Sequence, residues 1–328
     1  MHRRRLLAAL ATAPAFATSS GRTQSKLPLI GFISNRTPEQ GTRLVEAMKR
    51  GLAEQGFVEG QTLAIDYQWS NGDLERLPAL AESLVRRRVA VIVAGGTPQQ
   101  ARDATRTIPI VFTTGLDPVA YGLVGNIARP EANLTGATFY SGALGGKQLE
   151  LLRELAPRTA TIGLVVKPDS RSAAPQVEAI REVAMRAGIP LEIVPAATEQ
   201  EFEPAIAAFA QGPGRARTGR GIIVSVDPYF DSRAAQLVAA IERHAVPAIY
   251  NLREFVDTGG LMSYGASILD TYRLAGVYAG RLLKGARPAD LPVLLPTSFE
   301  LVVNRDAARR LGLALPPSLL ARADEVID

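Results

Sequence analysis

The sequence predicts an α/β fold of two Rossmann-like lobes, each a parallel sheet covered by helices, and two observations carry that expectation. The first is an internal repeat. Residues 30–56 recur without gaps 132 positions later, with Ile30-Gly31 falling on Ile162-Gly163, Val45-Glu46-Ala47 on Val177-Glu178-Ala179, and Gly56 on Gly188. The surrounding pattern repeats too: an apolar run (IGFIS, IGLVV), then an amphipathic stretch that ends at Gly as a helix C-cap does. After a four-residue slip the same offset lays residues 90–96 (AVIVAGG) over residues 222–228 (IIVSVDP). The second observation is alternation along the whole chain. Short Val- and Ile-rich runs take turns with helical periodicities, the pattern of a sheet buried on both faces by helices. Two like lobes in one chain imply a cleft between them, a favoured place for a small ligand.

Taken in order, the first series of strands is read at residues 29–34, 62–68, 89–95, 108–114 and 134–139. Its helices lie near 38–55, 74–88, 98–105 and 118–124. The second series places strands at 161–166, 191–194, 221–226, 248–250 and 261–264, with helices near 174–187, 201–210 and 232–244. Ile108-Pro109-Ile110-Val111 has its counterpart in Val246-Pro247-Ala248-Ile249, so the fourth strand begins alike in both lobes. Residues 136–146 and 264–267 are rich in Gly, Ser and Ala between apolar runs and read as passages between the lobes. A long helix at 269–284, a Pro-containing connection at 288–296 and a last strand at 299–303 complete the chain. The expected division is 27–141 with 266–288 for lobe one, and 142–265 with 289–328 for lobe two. Several crossings of this kind would form a multi-strand hinge, whose few residues absorb the rotation on closure.

Composition sets the class. At 328 residues, 47% hydrophobic and 21% charged, the chain is long enough for two separate cores. Residues 1–17 (MHRRRLLAALATAPAFA) combine a basic start, a short apolar stretch and Ala15-Phe16-Ala17, the small-x-small cleavage pattern of an export signal, with a linker to about residue 26. Arg3-Arg4, followed by Arg5, Leu6 and Leu7, resembles a twin-arginine signal; the general secretory route is the alternative. Loss of that segment removes three arginines and no acids, so 37 basic against 32 acidic residues becomes 34 against 32. The high pI therefore does not argue for nucleic acid. Cysteine is absent, which excludes disulfides, thiolate metal sites and a lipid-modified cysteine. The expectation is a monomer free in the periplasm.

Several chemistries lack their residues. His2 falls in the export signal, leaving His244 alone for any Ser-His-Asp arrangement, and its place before a Val-Pro strand start suits a helix-end cap. With one His and no Cys, no transition-metal site is expected. Gly145-Gly146-Lys147 has Ser141 and Gln148 where a P-loop needs Gly and Ser or Thr, and no GxGxxG opens a helix after a strand. No cofactor is expected.

Polar residues instead gather at the carboxyl ends of the strands, where open parallel sheets bind ligands. Lobe one offers Ser34-Asn35, Gly96-Thr97 and Thr114 with Asp117; lobe two offers Lys167, Asp169-Ser170, Asp227 with Tyr229, and Tyr250-Asn251. Helix-start N–H groups and hydroxyls suit a carboxylate and Asp suits an ammonium, the two ends of an amino acid, while Tyr229, Tyr250 and Tyr264 suit stacking on a flat ligand. Each of these positions also reads as a helix N-cap or as core, Asp117-Pro118 and Asp227-Pro228 especially.

From Leu29 onward the chain resembles the periplasmic substrate-binding proteins of ABC transporters, in the branch that includes tryptophan- and tyrosine-binding members. The likeness rests on Leu116-Asp117-Pro118-Val119 with Gly122-Leu123-Val124, Asn133-Leu134-Thr135-Gly136, residues 147–152, Leu291-Pro292-Val293, residues 299–304, and the final segment from Ala307 to Val326. It implies a type I periplasmic binding protein fold whose two lobes close on a small polar organic ligand, an amino acid or a related aromatic or carboxylated compound, and deliver it to an ABC transporter permease in the inner membrane. Tyr121 departs from the small or polar residue common in the family. An enzyme of the same architecture, using Asp117 and Asp227 as acid and base, and a ligand-sensing domain for a signalling partner are the alternative readings.

Overall fold

Strand order follows from the repeat. The computed structural model describes residues 27–96, 98–130, 132–140, 144–170, 173–212 and 219–328. The first sheet contains β1 (Leu29–Ser34), β2 (Ala64–Trp69), β3 (Val91–Gly95), β4 (Ile110–Thr114) and β5 (Leu134–Thr138), in the order β2-β1-β3-β4-β5 and wholly parallel. The second contains β6 (Thr161–Val166), β7 (Leu191–Pro195), β8 (Arg220–Val224), β9 (Ala248–Tyr250), β10 (Met262–Ala266), β11 (Phe299–Asn304) and β12 (Glu325–Ile327). Its order, β12-β11-β10-β9-β8-β6-β7, contains the first sheet's order in β7-β6-β8-β9-β10. The repeated strands β1 and β6 therefore hold the same central place in each lobe.

The helices are α1 (Pro38–Glu54), α2 (Leu77–Arg86), α3 (Pro98–Ala104), α4 (Leu144–Leu155), α5 (Ala173–Arg186), α6 (Phe202–Gln211), α7 (Pro228–Asp231), α8 (Ala234–Arg243), α9 (Arg253–Asp257), α10 (Ile268–Leu283), α11 (Arg305–Arg310) and α12 (Pro317–Leu320). Helix α1 begins with a reciprocal capping box: Gln40 N donates to Thr37 Oγ1 at 3.3 Å, and Thr37 N donates to Gln40 Oε1 at 3.0 Å. Its stripe of Leu44, Ala47, Met48 and Leu52 is buried against the β1 face that carries Ile30 and Phe32. The other face of that sheet, with Ile33, Ile92 and Phe112, is covered by Leu77, Ala81 and Leu84 of α2. In the second sheet the period of two separates Ile162, Leu164 and Val166, which face the α4 side, from Val165, which faces Phe202 and Ile206 of α6. No helix among the described residues is long and apolar enough to cross a membrane.

The chain passes between the sheets three times within this course. It leaves β5 for α4, with residues 141–143 of that passage outside the described residues, then leaves β10 for α10, and finally leaves Leu294 for β11. Helix α10 follows β10 of the second sheet yet packs on α1 of the first. The approach is made possible by glycine on both helices: a Cβ on Gly51 would lie 1.9 Å from the Arg273 carbonyl oxygen, and one on Gly276 would lie 2.0 Å from that of Met48. Backbone touches backbone there, so no side-chain rotation can relieve an added carbon.

Several elements differ from the sequence expectation. Residues 118–124 form turns and no helix, because Tyr121 N and Leu123 N close back on the Asp117 and Pro118 carbonyls and Gly122 takes φ +70, which ends the coil after one turn. The final crossing was expected near 288–289; instead Leu294 bridges Ala137 of β5, with Thr138 N donating to Leu294 O at 2.8 Å and Leu294 N to Gly136 O at 2.9 Å. Helix α4 begins at Leu144, inside a stretch read wholly as a passage. Strand β11 runs antiparallel to β10, and β12, which is too short to carry a periodicity, pairs beside it.

Gly276→Val tests the helix contact. Its branched side chain must push α10 off α1, and the free energy of unfolding measured by urea titration should fall by about 3 kcal/mol.

Candidate ligand cleft

The carboxyl ends of both sheets face one another. Groups just past those ends meet across the gap: Asn35 Nδ2 donates to Pro228 O at 2.8 Å, Gln40 Nε2 to Ser232 O at 3.1 Å, and Arg233 Nη2 to Gly72 O at 3.0 Å. Arg43 pairs with Asp257 at 3.1 Å. The cleft is thus closed along this edge by direct hydrogen bonds between the lobes.

Behind these contacts lies a buried cluster of charge. Arg36, directly after Asn35, is 5% exposed, and Asp231, at the end of α7, is 8% exposed. Arg36 Nη2 lies 3.9 Å from Glu254 Oε1, while Asp231 Oδ1 and Glu254 Oε2 are buried without a hydrogen-bond partner. Burial opposes the charge on Arg36, but Glu254 and Asp231 outweigh it and hold its pKa raised. Burial pushes the Asp231 carboxyl up to about 8 despite Arg36, with Glu254 and Asp227 adding to the rise. Tyr272 of α10 rests on Gly95, and burial raises its phenol as well.

Beside this cluster a cavity of about 120 Å³ opens from the cleft into lobe two, between α4, α5 and the ends of β6, β8 and β9. Phe139, Leu144, Leu164, Ile180 and Val226 form apolar walls, and Tyr121 and Tyr140 close the lobe-one side. Asn251 lines it and is 4% exposed.

The residues expected from sequence fall into three groups. Asn35 reaches across the gap, Asn251 lines the cavity, and Asp117 lines it with its carboxylate turned to Val119 N and Ala120 N at 2.9 and 3.0 Å. Others stand at the cleft with their polar atoms locally engaged. Ser34 Oγ accepts from Arg36 N at 3.3 Å, Thr114 Oγ1 accepts from Leu116 N at 3.1 Å, and Gly96 at φ +80 donates to Thr113 O at 3.0 Å. Asp227 caps α7 through Tyr229 N at 2.8 Å; burial raises its pKa although Ser170 and that N–H hold it down. Lys167 pairs with Asp169, and its ammonium lies 5.3 Å from the Tyr229 ring centroid. The Arg233 guanidinium covers the same ring at 3.9 Å, and the Tyr229 hydroxyl accepts from Glu199 N at 2.8 Å. Thr97 lies outside the described residues.

Tyr250 is the exception. Its ring stacks on Phe255 at 4.9 Å in the core, because strand alternation sends it to the α9 side and its neighbour Asn251 to the cleft. Arg36, Asp231 and Glu254 escaped the sequence reading. Arg36 follows Asn35 at a strand end, the same signal that picked out its neighbour, whereas Asp231 and Glu254 sit inside short helices that carry no such mark. His244 ends α8, but its imidazole Nε2 pairs with Glu203 at 2.7 Å. Among the described residues no group of three or more His, Cys, Asp or Glu is placed to hold a metal ion.

A family model described as ABC transporter substrate binding protein matches residues 38–327. The chain belongs to this family. As a substrate-binding protein it is a receptor for a small solute, and its fold is of the type I periplasmic binding protein kind. It is 26% identical over 266 residues to a tyrosine-binding protein of Clostridioides difficile, which covers 80% of this chain and 75% of that protein. The crystal structure of an ABC domain from Streptococcus pneumoniae in complex with L-Trp matches with TM-score 0.83 at 26% identity, over 92% of this chain and 100% of that one. A ligand-free, open substrate-binding protein with adhesive properties from Clostridium difficile matches with TM-score 0.68 at 25% identity, over 92% of this chain and 99% of that one.

The buried carboxyl of Asp231 gives folding stability a pH dependence. Its pKa rises from the ordinary 3.8 to about 8, so the protonated form favours the buried state. That contribution is whole below about pH 4 and is lost as pH climbs through about 8. Asp231→Asn, which is neutral throughout, should leave the thermal unfolding midpoint near the wild-type value at about pH 3.5 and raise it above wild type at about pH 9, as followed by circular dichroism.

Proposed function

We propose that this substrate-binding protein captures an amino acid outside the inner membrane and hands it to an ABC transporter permease. The observation that carries the reading is the cleft's pairing of opposite charges: Arg36 stands against Asp231 and Glu254, all between two lobes that meet around them. An α-carboxylate would lie toward Arg36 and an α-ammonium toward the unpartnered carboxylate oxygens of Asp231 and Glu254. The apolar cavity next to them suits an aromatic or similarly bulky side chain. The relatives that bind tyrosine and L-Trp support the same class.

Residues 1–17 serve as the export signal in this reading, and the mature protein works as a monomer in the periplasm without nucleic acid or a metal. Lobe one comprises 27–141 with the α10 segment and the stretch to Leu294 that bridges β5, lobe two 142–265 with the chain from β11 onward, and the three passages act as the hinge. Ligand affinity that is greater for the closed state shifts the lobes toward closure. The permease then recognises that state.

Calorimetry against the twenty amino acids, with small-angle scattering on the same samples, tests this. At least one aromatic amino acid should bind with Kd below about 10 μM and reduce the radius of gyration. Binding by none of the twenty would overturn it.

A further inference from the structure

One polar side chain that lines the cavity has both of its polar atoms buried and unpaired among the described residues. Seven polar side chains line it, and Gln176, Gln148 and Asp117 among them are engaged within the fold. Gln176 clamps the Val226 peptide, with Nε2 donating to Val226 O at 2.8 Å and Oε1 accepting from Val226 N at 2.7 Å. Gln148 Nε2 donates to Tyr264 O at 3.0 Å, and Asp117 accepts from its own turn at 2.9 and 3.0 Å. Asn251 is different: within the described residues both its Nδ2 and its Oδ1 are buried and without a partner. A buried amide with neither end satisfied is uncommon in a native fold and calls for an explanation.

From this we infer that the cavity receives the ligand's side chain and that Asn251 selects one carrying a neutral hydrogen-bonding group on an otherwise apolar body. The inference rests on the amino-acid reading above. The walls of Phe139, Leu144, Leu164, Ile180 and Val226 give the apolar body its contact. An amide offers one acceptor and one donor group, which suits a hydroxyl, an indole N–H or another amide. A pure hydrocarbon would leave both ends of Asn251 unpaired in a water-poor space. A carboxylate or ammonium would enter a cavity whose lining includes no basic side chain and whose single acid, Asp117, is already accepting two N–H groups. The Asn251 backbone lies close against β10, its main-chain carbonyl oxygen standing only 1.9 Å from where a Cβ on Gly265 would be.

The test compares L-tyrosine with L-phenylalanine, which differ by one hydroxyl, and adds L-tryptophan and L-leucine. Affinities are read by calorimetry for wild type and Asn251→Leu. Wild type should bind tyrosine about 30-fold more tightly than phenylalanine, and Asn251→Leu should bring that ratio to within about 3-fold, chiefly by weakening tyrosine. Should the leucine variant fail to fold, Asn251→Ala is read for the same ratio. A ratio that persists in the variant overturns the assignment to Asn251. Wild-type binding of phenylalanine or leucine as tight as that of tyrosine and tryptophan overturns it too, while leaving the receptor reading intact. Failure of every amino acid to bind would remove both.

Discussion

The contact of α10 with α1 sets what the rest of the molecule can do. Helix α10 leaves the second sheet at β10 and is drawn back onto the first lobe because Gly51 and Gly276 let the two backbones touch. That return forces the chain to cross the gap again before β11, so three passages join the lobes in place of one. Multiple short connections restrict the relative motion of two bodies to a rotation about the line they share. The same helix carries Tyr272 onto Gly95, at the carboxyl end of β3, so the contact that organises the crossings also forms part of the cleft wall.

Closure has an electrostatic consequence. Parallel sheets present polar strand ends on one side, and bringing two such sides together leaves Arg36, Asp227 and Asp231 buried, with Glu254 partly exposed beside them, in a group with more acid than base. Desolvation of the carboxylates exceeds what one guanidinium returns, which is why Asp231 is shifted upward beside a cation. A ligand bringing positive charge to the acids would relieve that imbalance, and one bringing hydrogen-bonding capacity would relieve the amide of Asn251. Hydrogen bonds between the lobes, such as Asn35 to Pro228, lie outside this group and join the two sides of the gap.

Much of the fold was legible in local pattern. Strands β1, β6 and β9 begin and end where the apolar runs do, and Thr37, Asp117 and Asp227 cap as their neighbouring prolines suggest. The misreadings have separate causes. At 118–124 a helix-like composition was ended by the backbone of Gly122, and residues 291–294 followed β5 because an unpaired sheet edge was available to them. Tyr250 and Asn251 were read together as cleft residues although adjacent strand positions face opposite sides.

By itself the sequence determined the two-lobed plan, the repeated strands and the strand ends at which polar groups gather, because hydrophobic period and capping act over a few residues. Only the tertiary structure decided that Arg36 meets Asp231 and Glu254, and that Asn251 is left with an open amide beside a cavity. The first of those relations joins positions far apart in the chain, as Asn35 and Pro228 are (a separation of 193), and depends on how the lobes meet. No local pattern encodes that distance.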